Sequence, residues 1–170
     1  ALPPIARRLF LASTEPRTRD AARFGPVVHR LAYAAAANRG LASACKIVIS
    51  IVDGATTAKD GGEALRQAVD ALDATRIVTL HQNASDAARF AAGAGALLPG
   101  YAAAHVDGRQ SADDRDDRLK AFGAAEKALV ATVRRMAEGG AAPTPDMVAF
   151  MAPPRDRAEI AAAMGLAAGR

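Results

Sequence analysis

Two short β-branched runs constrain this chain more than anything else in it: Lys46-Ile47-Val48-Ile49-Ser50-Ile51-Val52 and Arg76-Ile77-Val78-Thr79-Leu80-His81. They stand in an alanine-rich background of 45 alanines in 170 residues, and alanine is the best helix former. Stiff branched side chains favour extended backbone. The first run does not alternate apolar with polar, as expected of a strand buried on both faces. Between the two runs, residues 54–62 read as a loop. Glu63 to about Ala74 reads as a helix with Leu65, Val69 and Leu72 on one face. Asp60, three residues before Glu63, makes a capping-box pattern. The expectation is a strand–helix–strand unit from Lys46 to His81, with parallel strands and a right-handed crossover.

Other segments follow from spacing and caps. Thr18 to Phe24 opens a first helix. Pro26 suits the first turn of a second, with Val28, Leu31 and Ala35 on one face. Gly40 fits the left-handed position just past that helix, with Leu41 as the apolar contact beyond it. Asn83-Ala84-Ser85 caps a helix from Asp86 to about Leu98, with Ala87, Phe90 and Ala94 inward. Tyr101 to Val106 is ambiguous, with a weak third strand as one reading. Ser111 caps the longest helix, whose stripe is Leu119, Phe122, Leu129, Val133 and Met136 and whose first turns hold Asp113, Asp114, Asp116 and Asp117. Asp146 to Met151 is a short extended piece, and a last helix runs from about Asp156 to Ala167.

This alternation predicts an α/β fold: a helix-rich sandwich with a small, mainly parallel sheet. The rival is an all-α bundle in which Ala34–Val52 and Glu63–Leu98 are each continuous. Residues 1–17 read as a basic, proline-containing arm, 18–140 as the compact core, and 141–170 as a proline-flanked segment and helix.

No window approaches the ~20 apolar residues of a membrane span. Cys45 is the lone cysteine, so an internal disulfide is impossible, and its place before the first run predicts a buried, inert thiol. That cysteine usage suits a reducing compartment or an organelle interior, and the Arg7-Arg8-Leu9-Phe10-Leu11 stretch has a faint targeting-segment character. The net charge of +4 is uneven. Residues 1–46 carry eight basic groups against Glu15 and Asp20. A basic end of this kind contacts phosphate or an acidic partner, and arginine suits bidentate pairing.

In a parallel sheet, ligands bind beyond the carboxyl ends of the strands. That rule selects Asp53, Lys59 and His81 as catalytic candidates, His81 being a near-neutral acid/base. It selects Thr56, Thr57, Asn83 and Ser85 as ligand-binding candidates for an anionic small molecule. The loop 54–62 matches neither a Walker A loop nor a dinucleotide fingerprint. His29 and Tyr33 read as structural, and His105 has Asp107 close by. No pair of His, Cys or carboxylates has metal-ligand spacing, so no metal or cofactor is expected. Partner-binding candidates are Arg7, Arg8 and Arg17 in the arm, and Met147, Phe150 and Met151 beside Pro153.

Three functions compete. The leading one is a non-catalytic accessory or structural subunit that contacts neighbouring protein subunits through its terminal segments. The second is a small α/β enzyme working at the strand ends. The third is nucleic-acid contact through the Arg-rich first 46 residues.

Overall fold

The computed structural model describes residue 10 and residues 21–51, 58–133 and 144–167. The elements in chain order are α1 (Ala21–Phe24), α2 (Tyr33–Asn38), α3 (Ala58–Leu72), β1 (Arg76–His81), α4 (Ala84–Leu97), β2 (Ala102–Val106), α5 (Ala112–Ala124), β3 (Ala128–Val133), β4 (Met147–Phe150) and α6 (Arg157–Ala167). The strands form one parallel sheet in the order β2-β3-β1-β4. The fold is α/β, and the all-helical alternative is excluded.

The second β-branched run is β1, at the heart of the sheet. It pairs with β3 from Arg76↔Ala128 to His81↔Val133, and with β4 from Ile77↔Met147 to Leu80↔Phe150. Both faces are covered, so successive side chains feed two cores. Ile77, Leu129, Ala131 and Met147 pack against Leu65 and Val69 of α3 and Ala87 and Ala94 of α4. Val78, Leu80, Val130 and Val106 pack against Phe122 of α5 and Ala163 of α6. α3 and α4 thus cover one face, and α5 and α6 the other.

At the amino edge, the Asp146 carboxylate ties β4 to the start of β1. It accepts hydrogen bonds from Thr75 N at 2.8 Å, Thr75 Oγ1 at 2.6 Å and Arg76 N at 2.9 Å. Tyr101 donates its hydroxyl to the Ala74 carbonyl, pinning the entry to β2 beside the entry to β1.

Several expectations need correction. The run from Lys46 is not in the sheet: Ile47, Val48, Ile49 and Ile51 are all exposed, and β1 has β3 and β4 as its neighbours instead. The strand–helix–strand unit expected from Lys46 to His81 is therefore not formed among the described residues, which leave out Val52. Cys45, next to that run, is exposed rather than buried. α3 begins at Ala58, so Asp60 lies in its first turn and does not cap a helix starting at Glu63. The Glu63 carboxylate instead receives Arg66 at 2.7 and 3.0 Å and Gln67 at 3.1 Å. The second helix is only α2. His29 precedes it and is exposed, because a short helix with no apolar face to bury is marginal.

The largest misreading is the long helix after Ser111. α5 stops at Ala124, and Ala128–Val133 is β3, a central strand. Leu129 belongs to the sheet and is fully buried. Met136 lies outside the described residues.

Other expectations hold. Gly40 has φ 69°, with Gly40 N donating to Ala37 O and Leu41 N to Ala36 O, the paired bonds of a Schellman end. The weak third strand is β2, and the last strand and helix stand where their spacing put them.

Leu129→Ala is expected to lower the unfolding free energy by about 2–5 kcal/mol, because the sheet cannot collapse around the hole. Asp146→Ala is expected to cost about 1–2 kcal/mol by releasing the ends of β1 and β4. Urea denaturation of both variants measures these losses. A Leu129→Ala loss below that of Asp146→Ala contradicts the central placement of β3.

Candidate functional site

The carboxyl ends of the strands deliver their chains into three helix starts. β1 ends at His81, and Asn83 caps α4 by accepting from Asp86 N at 2.9 Å. Its amide donates to Asp86 Oδ2 at 2.8 Å. β2 ends in the turn Asp107–Gln110, and Ser111 caps α5 by accepting from Asp114 N at 3.1 Å. β4 runs on to Asp156, which accepts from Ala158 N at 2.9 Å and Glu159 N at 3.0 Å at the start of α6. Each cap residue is one that supplies an acceptor to otherwise unpaired amides.

His81 sits in this edge but is only 5% exposed. Its Nε2 is 3.0 Å from Thr79 Oγ1, and its ring centroid is 5.0 Å from that of Phe90. Burial depresses its pKa to about 4, against a smaller upward pull from Asp86. At neutral pH it is an uncharged, enclosed imidazole, which suits packing better than proton transfer to a ligand.

His105 and Asp107 form a second pair, with Nε2 and Oδ2 3.2 Å apart. Asp107 is buried, and its other oxygen accepts from Arg109 N at 2.7 Å. That backbone bond is the main cause holding its carboxyl below the usual range, with His105 adding to it and burial opposing. Gln110 closes the turn by accepting from Asp107 N and donating to the His105 carbonyl, both at 3.2 Å. The pair organises the exit from β2.

The remaining candidates separate into groups. Asn83 is engaged as a cap, and Ser85 is exposed in the first turn of α4. Lys59 lies in the first turn of α3. Asp53, Thr56, Thr57, Arg7, Arg8 and Arg17 lie outside the described residues. Met147 is a core residue of β4, and Phe150 and Met151 pack half-buried against the two faces of the core, so packing occupies much of that strip. The sequence shows the His105–Asp107–Gln110 turn only in part, through the closeness of His105 and Asp107. Its sequence signal is a carboxylate just after a strand and shortly before a Ser cap.

A different surface carries the unbalanced charge. Residues 21–46 include Arg23, Arg30, Arg39 and Lys46 and no Asp or Glu, and all four cations are exposed. The Arg23 guanidinium stands 5.6 Å from the Phe24 ring centroid. Among the described residues, no group of three or more His, Cys, Asp or Glu could hold a metal ion, and no helix is long and apolar enough to cross a membrane.

No family model and no curated protein matches this sequence. Among solved structures, the chain is similar to a protein described as the ATP-dependent Type ISP restriction-modification enzyme LlaBIII bound to DNA. The TM-score is 0.66 at 16% sequence identity, over 89% of this chain and 13% of that one. At this identity the likeness is one of fold. The chain spans about an eighth of the neighbour's length.

The depressed His81 pKa has a signed consequence. The folded state disfavours the charged ring, so His81 contributes its full stability above the unfolded pKa near 6.5, and that contribution is lost as pH falls toward about 4. His81→Gln removes the titrating group. The wild-type minus variant difference in unfolding free energy is expected to fall by on the order of 2–3 kcal/mol across that window and to level off below it. A difference that stays flat from pH 7 to pH 4 overturns the neutral-histidine assignment.

Proposed function

We propose that this chain is a non-catalytic α/β module of a larger assembly that acts on DNA, and that it contributes a phosphate-contacting surface through its Arg-rich N-terminal stretch. The observation that carries this reading is the fold likeness of nearly the whole chain to a small part of a DNA-bound, ATP-dependent enzyme. A module that is one part of a large machine works through surfaces facing its neighbours and its substrate.

Two features support the same reading. Four exposed cations without a carboxylate among residues 21–46 provide the electrostatic footprint of phosphate contact. Arginine predominates there, and its planar fork pairs with phosphate oxygens. At the carboxyl edge, meanwhile, the histidines and Asp107 are committed to holding the strand exits in place. The edge also holds carboxylates at or near each helix start, Asp86, Asp114 and Asp156, which repel a polyanion. The basic stretch is therefore the better phosphate surface. Residues 54–62 carry neither a Walker A nor a dinucleotide fingerprint.

The small-enzyme alternative is the less favoured reading, since His81 is enclosed and within hydrogen-bond distance of Thr79. The proposal keeps the accessory-subunit reading and takes its neighbours to be the rest of a DNA-acting assembly.

Binding of the full chain to a short duplex, followed by fluorescence anisotropy between 50 and 200 mM salt, tests the reading under the linear log K against log[salt] law. The expected slope is about −0.9 for each phosphate neutralised. Replacing Arg23, Arg30, Arg39 and Lys46 together by Gln is expected to reduce the magnitude of the slope by roughly 2–4. Duplex affinity and slope that do not change in the fourfold variant defeat the proposal.

A further inference from the structure

We propose that Lys46–Ile51 docks along the outer edge of β4 as a fifth parallel strand, extending the sheet to β2-β3-β1-β4-(46–51). The structure places this run off the sheet, and four independent features point to that one docking place.

The first is the edge itself. β4 is an outermost strand, and no described residue pairs with its outer side. Val148, Ala149 and Phe150 are only half-buried although apolar, whereas β1 and β3, with neighbours on both sides, are buried almost throughout. An unpaired row of N–H and C=O groups is a template for another strand.

The second is the run. Ile47, Val48, Ile49 and Ile51 are 65%, 51%, 80% and 89% exposed. Contiguous β-branched side chains in water mark a contact surface, and their backbone preference is extended.

The third is handedness. α3 and α4 cover the same face of the sheet, while α5 covers the other. The connection β1–α4–β2 moves from β1 toward the β2 side, and β2–α5–β3 moves back on the opposite face, as right-handed crossovers require. A strand that precedes α3 must then reach β1 by moving in the same sense as β1–α4–β2. It must therefore lie on the β4 side of β1. The place next to β1 is taken by β4, so the free place is the outer edge of β4.

The fourth is reach. A Cβ on Gly61, in the first turn of α3, would stand 3.7 Å from the Met151 methyl, just past the end of β4. α3 thus starts at the carboxyl end of β4, where a parallel strand would also finish. Residues 52–57 span up to roughly 20 Å, enough to join Ile51 to Ala58. This short, handed connection favours the chain's own run over the run of a second copy.

The test is NMR on the isotope-labelled full chain, held monomeric by dilution and checked by sedimentation. The expected result is amide–amide NOEs between residues 47–51 and Val148–Phe150, with alternate amides of the run exchanging at least about 100-fold more slowly than unprotected ones. Proline removes a donor, and successive residues of a strand point their amides to opposite sides. One of the single variants Val48→Pro and Ile49→Pro is therefore expected to speed exchange at the outer amides of β4 at least tenfold, leaving β1 and β3 protected. Free exchange throughout 47–51, or unchanged β4 exchange in both variants, overturns the proposal. NOEs that appear only with a concentration-dependent dimer also overturn it, by assigning the place to a second copy.

Discussion

The parallel pairing of β1 with β3 on one side and β4 on the other is the constraint from which the rest of the molecule follows. A strand hydrogen-bonded on both sides and buried on both faces must be apolar along its whole length, and Ile77, Val78 and Leu80 meet that requirement. Thr79 is buried too, with its hydroxyl beside His81 Nε2. Parallel neighbours cannot be joined by a tight turn, so each strand must be followed by a crossover long enough to return the chain to the amino edge. α4 and α5 are such crossovers, and they lie on opposite faces because β1 to β2 and β2 to β3 run in opposite directions across the sheet. The same geometry puts the helix starts of α4, α5 and α6 at one edge of the sheet, and the ties made by Asp146 and Tyr101 at the other.

Which parts of this were legible depends on how local the physical signal is. β1 could be read because its β-branched residues stand against alanine. The caps Asn83 and Ser111 could be read because a side-chain acceptor three residues before an unpaired amide is a local arrangement. β3 could not. Ala128-Leu129-Val130-Ala131-Thr132-Val133 contains two alanines, and its Leu129 falls at helical spacing from Phe122. A strand buried on both faces has no period of its own, so the helical stripe of the preceding segment appeared to run through it. What makes it a strand is the place between β1 and β2, a long-range fact that no local window contains.

The run at Lys46 fails in the opposite way. Its composition is as strand-like as that of β1, yet its side chains are exposed. Intrinsic preference is decided by what a segment packs against, and β1 has strands on both sides where this run has none. The candidate site inherits that error. A pocket shared between the ends of two adjacent strands requires the strands to be adjacent, and the neighbours of β1 are β3 and β4. Asn83 and Ser85 remain at the carboxyl edge, while Asp53, Thr56 and Thr57 lie outside the described residues.

The division of polar groups between the two regions of the molecule carries the functional argument one step further. At the carboxyl edge, polar side chains are spent on the backbone: Asn83, Ser111 and Asp156 on helix amides, Asp107 and Gln110 on the turn after β2. Such groups are hard to recruit for a ligand, since each exchange would leave a backbone group unsatisfied. The cations of residues 21–46 lie at the surface, on a segment whose regular structure is limited to α1 and α2. Charges on a loosely structured surface segment adapt to an extended polyanion at little cost to the fold. On the proposed function the sheet holds shape and the basic stretch makes contact, so substitutions in the basic stretch are expected to change duplex binding while leaving the parallel ladder intact.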